Sequence, residues 1–221
     1  KILLFADNKR FVYDEAARSL TGRYPLPEPP AGYGIADLAI DASSGMYWFT
    51  GKQGSLLFDP RSKQFIPPGE KKGAAFDSLF SVKSARYPFI DKDGKWWLVN
   101  WVPFTQVPPV LYSYNPMQAQ LQQYEKIRDY KPDSYYEIWS LFQQTNGTLW
   151  IYGMGLLAYY DIQQNRFVHI ASDAFRQNGI EYDFVSGLSE DKEHNVWVST
   201  NNGLYRFNIQ AQVFHNTPNL R

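Results

Sequence analysis

Four tryptophans set the frame of this chain: Trp48, Trp97, Trp150 and Trp197, spaced 49, 53 and 47 residues apart. Each sits in a short apolar run, clearest in Val196-Trp197-Val198-Ser199-Thr200. A second marker follows each Trp. An aromatic residue precedes Asp or Asn at Phe58-Asp59, Tyr114-Asn115, Tyr160-Asp161 and Phe207-Asn208, and the same pair stands at Tyr13-Asp14. A third set of aromatics, Tyr24, Phe65, Tyr124, Phe167 and Phe214, comes after these pairs. A period in the forties holding four short strand-like runs is the mark of β-propeller blades.

The expected fold is therefore all-β: a β-propeller of four-stranded antiparallel blades, four complete repeats and one partial. The 221 residues read as a single array with units at about 1–25 (partial), 35–66, 85–126, 137–170 and 184–215. A seven-bladed ring at this period needs roughly 320 residues. Both ends fall in mid-pattern, so the array is expected to be an arc of a larger propeller. One unit cannot cover both faces of its sheet and needs neighbours. The Trp column is accordingly read as inter-blade core, each buried ring contributing on the order of 2–3 kcal/mol.

Composition narrows the function. Lys plus Arg is 22 and Asp plus Glu is 22, so there is no electrostatic footprint for nucleic acid or an anionic membrane. The chain has no cysteine, which excludes disulfides and Cys-based zinc or nucleophile sites. No apolar run approaches the length of a membrane span, and no charged-then-apolar leader is visible. The chain opens in an apolar run at Lys1–Ala6, as one does inside a domain.

The unit at Val185–Asn208 is the most regular. Its stretch Glu190-Asp191, a turn, Val196-Trp197-Val198, Thr200, Gly203-Leu204 and Phe207-Asn208 resembles the two-component regulator propeller repeat. The fourth unit matches through Gly147, Leu149-Trp150-Ile151, Gly155-Leu156 and Tyr160-Asp161, with Gln144 where the repeat has an acid. The resemblance implies an extracytoplasmic, periplasmic ligand-sensing region of a Bacteroidetes-type hybrid two-component or sensor histidine kinase. It implies a segment that is not itself an enzyme and needs no cofactor. The implied ligand is a glycan-derived oligosaccharide. The implied partners are the rest of the receptor chain, a second propeller, or a second copy in a homodimer.

Function is sought where a unit departs from the pattern. In the third unit the turn after Trp97 becomes the excursion Trp101–Pro109, whose three prolines deny it strand pairing. Trp101 and Phe104 on that excursion are ligand-binding candidates. Counting five back from the Asp91/Gln144 column gives Arg86 and Trp139, where the second and fifth units have Ala36 and Ser186. First strands line a propeller's channel, so a guanidinium and an indole there could meet a ligand. Tyr135 and Tyr136, at the same mouth, complete the set.

Other motifs read as scaffold. Asp91-Lys92-Asp93-Gly94 lacks the distal ligands of a calcium loop and reads as a hairpin turn, so no metal is expected. Asn146-Gly147-Thr148 reads as an Asn-Gly turn. His169, His194 and His215 lie on different units without the spacing of a triad or a metal site. Two other functions stay open: a protein-interaction scaffold, and a metal-dependent enzyme like the streptogramin-lyase propellers. The second needs a His on a first strand, and none is found.

Overall fold

The computed structural model describes residues 2–6, 9–25, 27–66, 74–102, 105, 107–124, 127, 135–173, 178–208 and 213–217. The chain builds five successive antiparallel sheets. The first has three strands, β1 (Ile2–Ala6), β2 (Lys9–Asp14) and β3 (Ser19–Pro25). Four four-stranded blades follow: β4 (Ile35–Ile40) to β7 (Gln64–Ile66), through β5 (Tyr47–Gly51) and β6 (Gly54–Asp59); β8 (Ala85–Ile90), β9 (Trp96–Asn100), β10 (Val110–Asn115) and β11 (Gln120–Tyr124); β12 (Ser140–Gln143), β13 (Leu149–Gly153), β14 (Leu156–Asp161) and β15 (Arg166–His169); and β16 (Val185–Glu190), β17 (Val196–Thr200), β18 (Gly203–Asn208) and β19 (Val213–Thr217). Each pairs in sequence order, which is the propeller blade.

Three members of the Trp column are inter-blade core, and Trp197, in the last described blade, is only partly buried. Trp48, Trp97 and Trp150 are at most 1% exposed. Each points at the next blade: Trp48 meets Trp96 at 4.8 Å, Trp97 meets Tyr160 at 5.7 Å, and Trp150 meets Phe207 at 5.7 Å between ring centres. The third marker is corrected by the register. Phe58, Tyr160 and Phe207 pair with Phe65, Phe167 and Phe214, but Tyr114 pairs with Leu121 and Tyr13 with Leu20. The column partner stands seven residues after the marker in every unit. Tyr124 and Tyr24 lie outside it.

One helix is found among the described residues, α1 (Ala74–Phe80), between the second and third units. Phe76, Leu79 and Phe80 recur at helical spacing and fill the wedge between the second and third blades, against Trp48, Leu57, Trp96 and Tyr114.

The acidic pair of the repeat divides two tasks. The second member accepts the indole N–H of the Trp column: Trp97 Nε1 and Trp197 Nε1 donate to Asp91 and Asp191 Oδ2, each at 2.8 Å. Gln144 Oε1 takes the same part for Trp150 at 2.7 Å. The second unit breaks the rule, because Asp41 stands seven residues before its Trp and not six. Asp41 turns to the hydroxyls of Ser43 and Ser44 at 2.7 and 2.6 Å, and Trp48 Nε1 is buried without a partner. Trp97→Phe is therefore expected to cost about 1–2 kcal/mol more than Trp48→Phe, because only the former loses a charge-assisted hydrogen bond. Chemical denaturation of the two variants checks this.

The first member latches blade to blade. Gln143 Oε1 accepts the backbone N–H of Lys92 in the preceding blade at 2.8 Å. Glu190 does the same for Thr145, at 2.7 Å from its N–H and 2.5 Å from its hydroxyl. His194 Nδ1 closes the group, 2.7 Å from Glu190. Burial would raise the Glu190 carboxyl, but Thr145 and His194 outweigh it and hold it below the usual range. A depressed carboxylate stabilises the fold above its unfolded pKa, and that contribution is lost as pH falls through the folded value. Other depressed carboxylates, such as Asp41 and Asp191, add to the acid limb. The latch is thus read as a difference: Glu190→Gln melts with a shallower loss of Tm than the parent on acidification below about pH 4.5.

Candidate functional site at the channel mouth

Antiparallel pairing puts the turns within each pair of strands on one face of the propeller. The excursion after β9 and the connections between blades lie on the other. The first strands β4, β8 and β12 run beside one another at the centre. The sequence candidates gather where these strands begin.

Arg86 stands in β8 opposite Val99. Its Nε donates to Asp37 Oδ2 of β4 at 2.7 Å, and both side chains are about a quarter exposed. The β8 register slips after Arg86 and resumes at Phe89. Tyr87 occupies the slip with φ +51°. That is left-handed backbone for an aromatic residue ahead of a proline, where extended backbone is favoured. Such a conformation costs about 1–3 kcal/mol and persists only where its surroundings fix it. Here the Tyr87 N–H donates to the same Asp37 oxygen at 3.2 Å, and its ring stacks on Trp101 at 6.2 Å and 24°. The Arg86 guanidinium lies 5.2 Å from the Tyr87 ring centre and 5.9 Å from that of Trp101, within cation–π range.

The chain of contacts continues into the fourth unit. Trp101 Nε1 makes a long bond of 3.4 Å to the Tyr135 hydroxyl. Tyr135 donates to Glu137 Oε1 at 2.8 Å, and Trp139 Nε1 donates to Glu137 Oε2 at 2.6 Å. The Trp139 ring meets Phe184, at the lead into the fifth unit, at 5.5 Å. Gly153 makes room for this segment: a Cβ there would stand 2.2 Å from the Glu137 carbonyl oxygen and 2.8 Å from the Trp139 nitrogen. Burial pushes the Tyr135 hydroxyl up, with Trp101 opposing and Glu137 adding. Burial likewise raises Tyr87. Both phenols are therefore neutral donors at physiological pH.

Four of the expected residues, Arg86, Trp101, Tyr135 and Trp139, thus share one half-exposed network. Trp101 does not project freely; it folds back onto Tyr87. Tyr136 is corrected: it is buried, and its hydroxyl donates to the Pro109 carbonyl at 3.3 Å, anchoring the end of the excursion. Phe104 lies outside the described residues. Asp37, Tyr87, Glu137 and Phe184 were missed. Asp37 and Glu137 are charged residues near first-strand starts, one and two positions from the column counted, and scanning the neighbouring positions finds them.

The arrangement offers ring faces flanked by a guanidinium, two carboxylates and a phenol. It is suited to binding a polar ligand with an apolar face. The three histidines lie elsewhere, in β15, in the turn after β16 and in β19. Among the described residues no cluster of His, Asp and Glu has the form of a metal site.

No family model matches the chain, and no curated protein matches by sequence. Solved structures do match. Over 97% of this chain, the extracellular domain of the hybrid two-component system BT4673 of B. thetaiotaomicron superposes with a TM-score of 0.66 at 16% identity. PorZ, a surface component of the type-IX secretion system of Porphyromonas gingivalis, superposes at 0.59 with 14% identity over 98%. The dihydro-heme d1 dehydrogenase NirN, an enzyme, superposes at 0.58 with 11% identity over 96%, and this chain covers 42% of it. This chain spans 26% of the first and 33% of the second. At these identities the likeness establishes the propeller fold.

Proposed function

We propose that this chain is an extracytoplasmic ligand-sensing propeller segment of a two-component receptor, without catalysis of its own. Its ligand is a glycan-derived oligosaccharide, taken at the channel mouth. The observation that carries this is the placement of Trp101, Tyr135 and Trp139 in one half-exposed network with Arg86, Asp37 and Glu137. Aromatic faces beside hydrogen-bonding edges suit a pyranose, which has an apolar face and a rim of hydroxyls. The fold shared with the BT4673 extracellular domain and the repeat pattern at Glu190–Asn208 support the receptor class. Ligand binding signals only if it favours one arrangement of the site over another. The strained Tyr87 backbone and the Arg86–Asp37 pair, which tie the second unit to the third, are the elements such binding would shift.

Calorimetric titration against a panel of oligosaccharides tests this. At least one member is expected to bind, with Trp139→Ala and Arg86→Ala each weakening it at least ten-fold. Absence of binding across the panel overturns the proposal for this segment. A second reading, a protein-interaction scaffold, is favoured by one feature: Val102 and Val107 on the excursion are 47% and 67% exposed. In that case Val107→Asp disrupts assembly with the receptor partner, and no sugar binds.

A further inference from the structure

The wedge between the third and fourth blades opens on the opposite face, among the strand turns, and is lined unlike its neighbour. Row by row, the residues across the second blade at the Trp column are Ala39, Trp48, Leu57 and Ile66; across the fourth they are Phe142, Trp150, Tyr159 and Val168. Across the third they are Phe89, Trp97, Ser113 and Gln122. The outer half of that row is polar although the fourth blade covers it, and Ser113 is fully buried. The wedge between the second and third blades is filled by Phe76, Leu79 and Phe80 of α1. The wedge between the third and fourth is packed by its own core, which includes Trp97, Tyr124, Leu149 and Phe167, but at its strand-turn end it opens into a cleft of about 710 Å³. That lies within the roughly 300–1,000 Å³ of small-ligand sites.

Lys95 gives the cleft its second peculiarity. The position two before the Trp is Met46, Thr148 or Asn195 in the other blades. The Lys95 ammonium lies 4.4 Å from the Trp97 ring centre and 5.4 Å from that of Tyr160, with a long 3.4 Å bond to the Tyr124 hydroxyl. No carboxylate among the described residues stands within salt-bridge distance. Asp91 is nearby, but its oxygens are engaged by the N–H groups of Asp93 and Lys95 and by the Trp97 indole. Burial lowers the Lys95 pKa, and Asp91 opposes this. The walls carry the carboxamides of Gln118, Gln120, Gln122 and Asn165. Each carboxamide both donates and accepts, as a sugar hydroxyl does. Asp91 and Asp93 in the lining oppose an anionic ligand.

We propose that this cleft is a second binding site, for a neutral oligosaccharide: one sugar ring on the Tyr160 face, its hydroxyls held by the carboxamides and by Lys95. The site is independent of the channel mouth, and its test separates the two. Side-chain NH₂ signals of the ¹⁵N-labelled chain are followed by NMR while cellotetraose, xylotetraose or maltotetraose is added. At least one of these is expected to shift the Gln120, Gln122 and Asn165 signals. Lys95→Met and Ser113→Leu install the residues the second blade carries at the same positions, Met46 and Leu57, and are each expected to weaken that response at least ten-fold. If Ser113→Leu does not fold, Lys95→Met decides. Trp139→Ala at the channel mouth leaves the response unchanged. No shift with any of the three sugars, a shift that survives Lys95→Met, or a shift given by digalacturonate alone overturns the proposal.

Discussion

Replacing Trp150 with Ala lowers stability by about 4–5 kcal/mol, the largest single-site effect expected in this chain. Two losses combine. The indole is 1% exposed and bridges blades, meeting Tyr159 at 5.5 Å and Phe207 at 5.7 Å, so its removal leaves a cavity that a β-sheet row cannot collapse to fill. Its Nε1 is also the partner of the Gln144 Oε1, and Gln144 is fully buried with its Nε2 already unpaired. The substitution strands the whole carboxamide. At this chain length the Tm falls by roughly 10 °C, measurable by thermal unfolding. Trp150→Ala with Gln144→Leu recovers part of the loss, since an apolar group in that place has nothing to satisfy.

The second large effect falls on a residue with no side chain. Gly153→Ala puts a methyl 2.2 Å from the Glu137 carbonyl oxygen, a distance no Cβ contact sustains. The obstacle is backbone, so the Glu137–Trp139 segment must shift away. The expected cost is about 2–3 kcal/mol, at the upper end of overpacking effects. The functional effect is larger than the stability effect suggests, because the displaced segment carries both Glu137 and Trp139. Calorimetry of Gly153→Ala, with an oligosaccharide that does not shift the cleft signals, is expected to show binding at the channel mouth lost at temperatures where the variant is still folded. Gly51→Ala makes the control. Its Cβ would meet the Gly34 oxygen at 2.1 Å, so it is destabilising too, but it does not lie beneath Glu137 and Trp139.

Much of this fold is legible in the sequence because burial in a propeller is periodic. A Trp facing the next blade must recur at blade spacing, and so must its acceptor six residues earlier. The acidic pair was readable as a motif, but its two tasks were not. Nothing in Glu190-Asp191 alone says that one carboxylate holds its own blade's indole and the other grips a neighbour 45 residues away in the chain. Aromatic character alone does not follow the last-strand column: Tyr124 and Tyr24 lie in the last strands of their units but off the row that pairs with Tyr114 and Tyr13. The constant spacing of seven from Tyr114 and Tyr13 would have found Leu121 and Leu20. Helix α1 escaped because it is seven residues long and follows a Pro- and Gly-rich stretch.

The candidate site was legible in part for a related reason. Arg86 and Trp139 emerge from a column count. Tyr87 does not, because a slip in the β8 register and a positive φ turn its side chain where alternation would not put it. Asp37 is chosen as the Arg86 partner by the way β4 and β8 lie side by side, which no spacing within one unit encodes.

The central claim is a division of labour: the repeated columns hold the blades together, and the departures at the channel mouth bind ligand. Thermal unfolding of Trp139→Ala, with and without an oligosaccharide that binds the parent and leaves the Gln120, Gln122 and Asn165 side-chain signals of the cleft unshifted, tests it most directly. The prediction is a Tm within about 3 °C of the parent, as for a half-exposed side chain, and no rise in Tm when the sugar is added. A Tm loss as deep as that of Trp150→Ala, or a ligand-induced rise equal to the parent's, would contradict it.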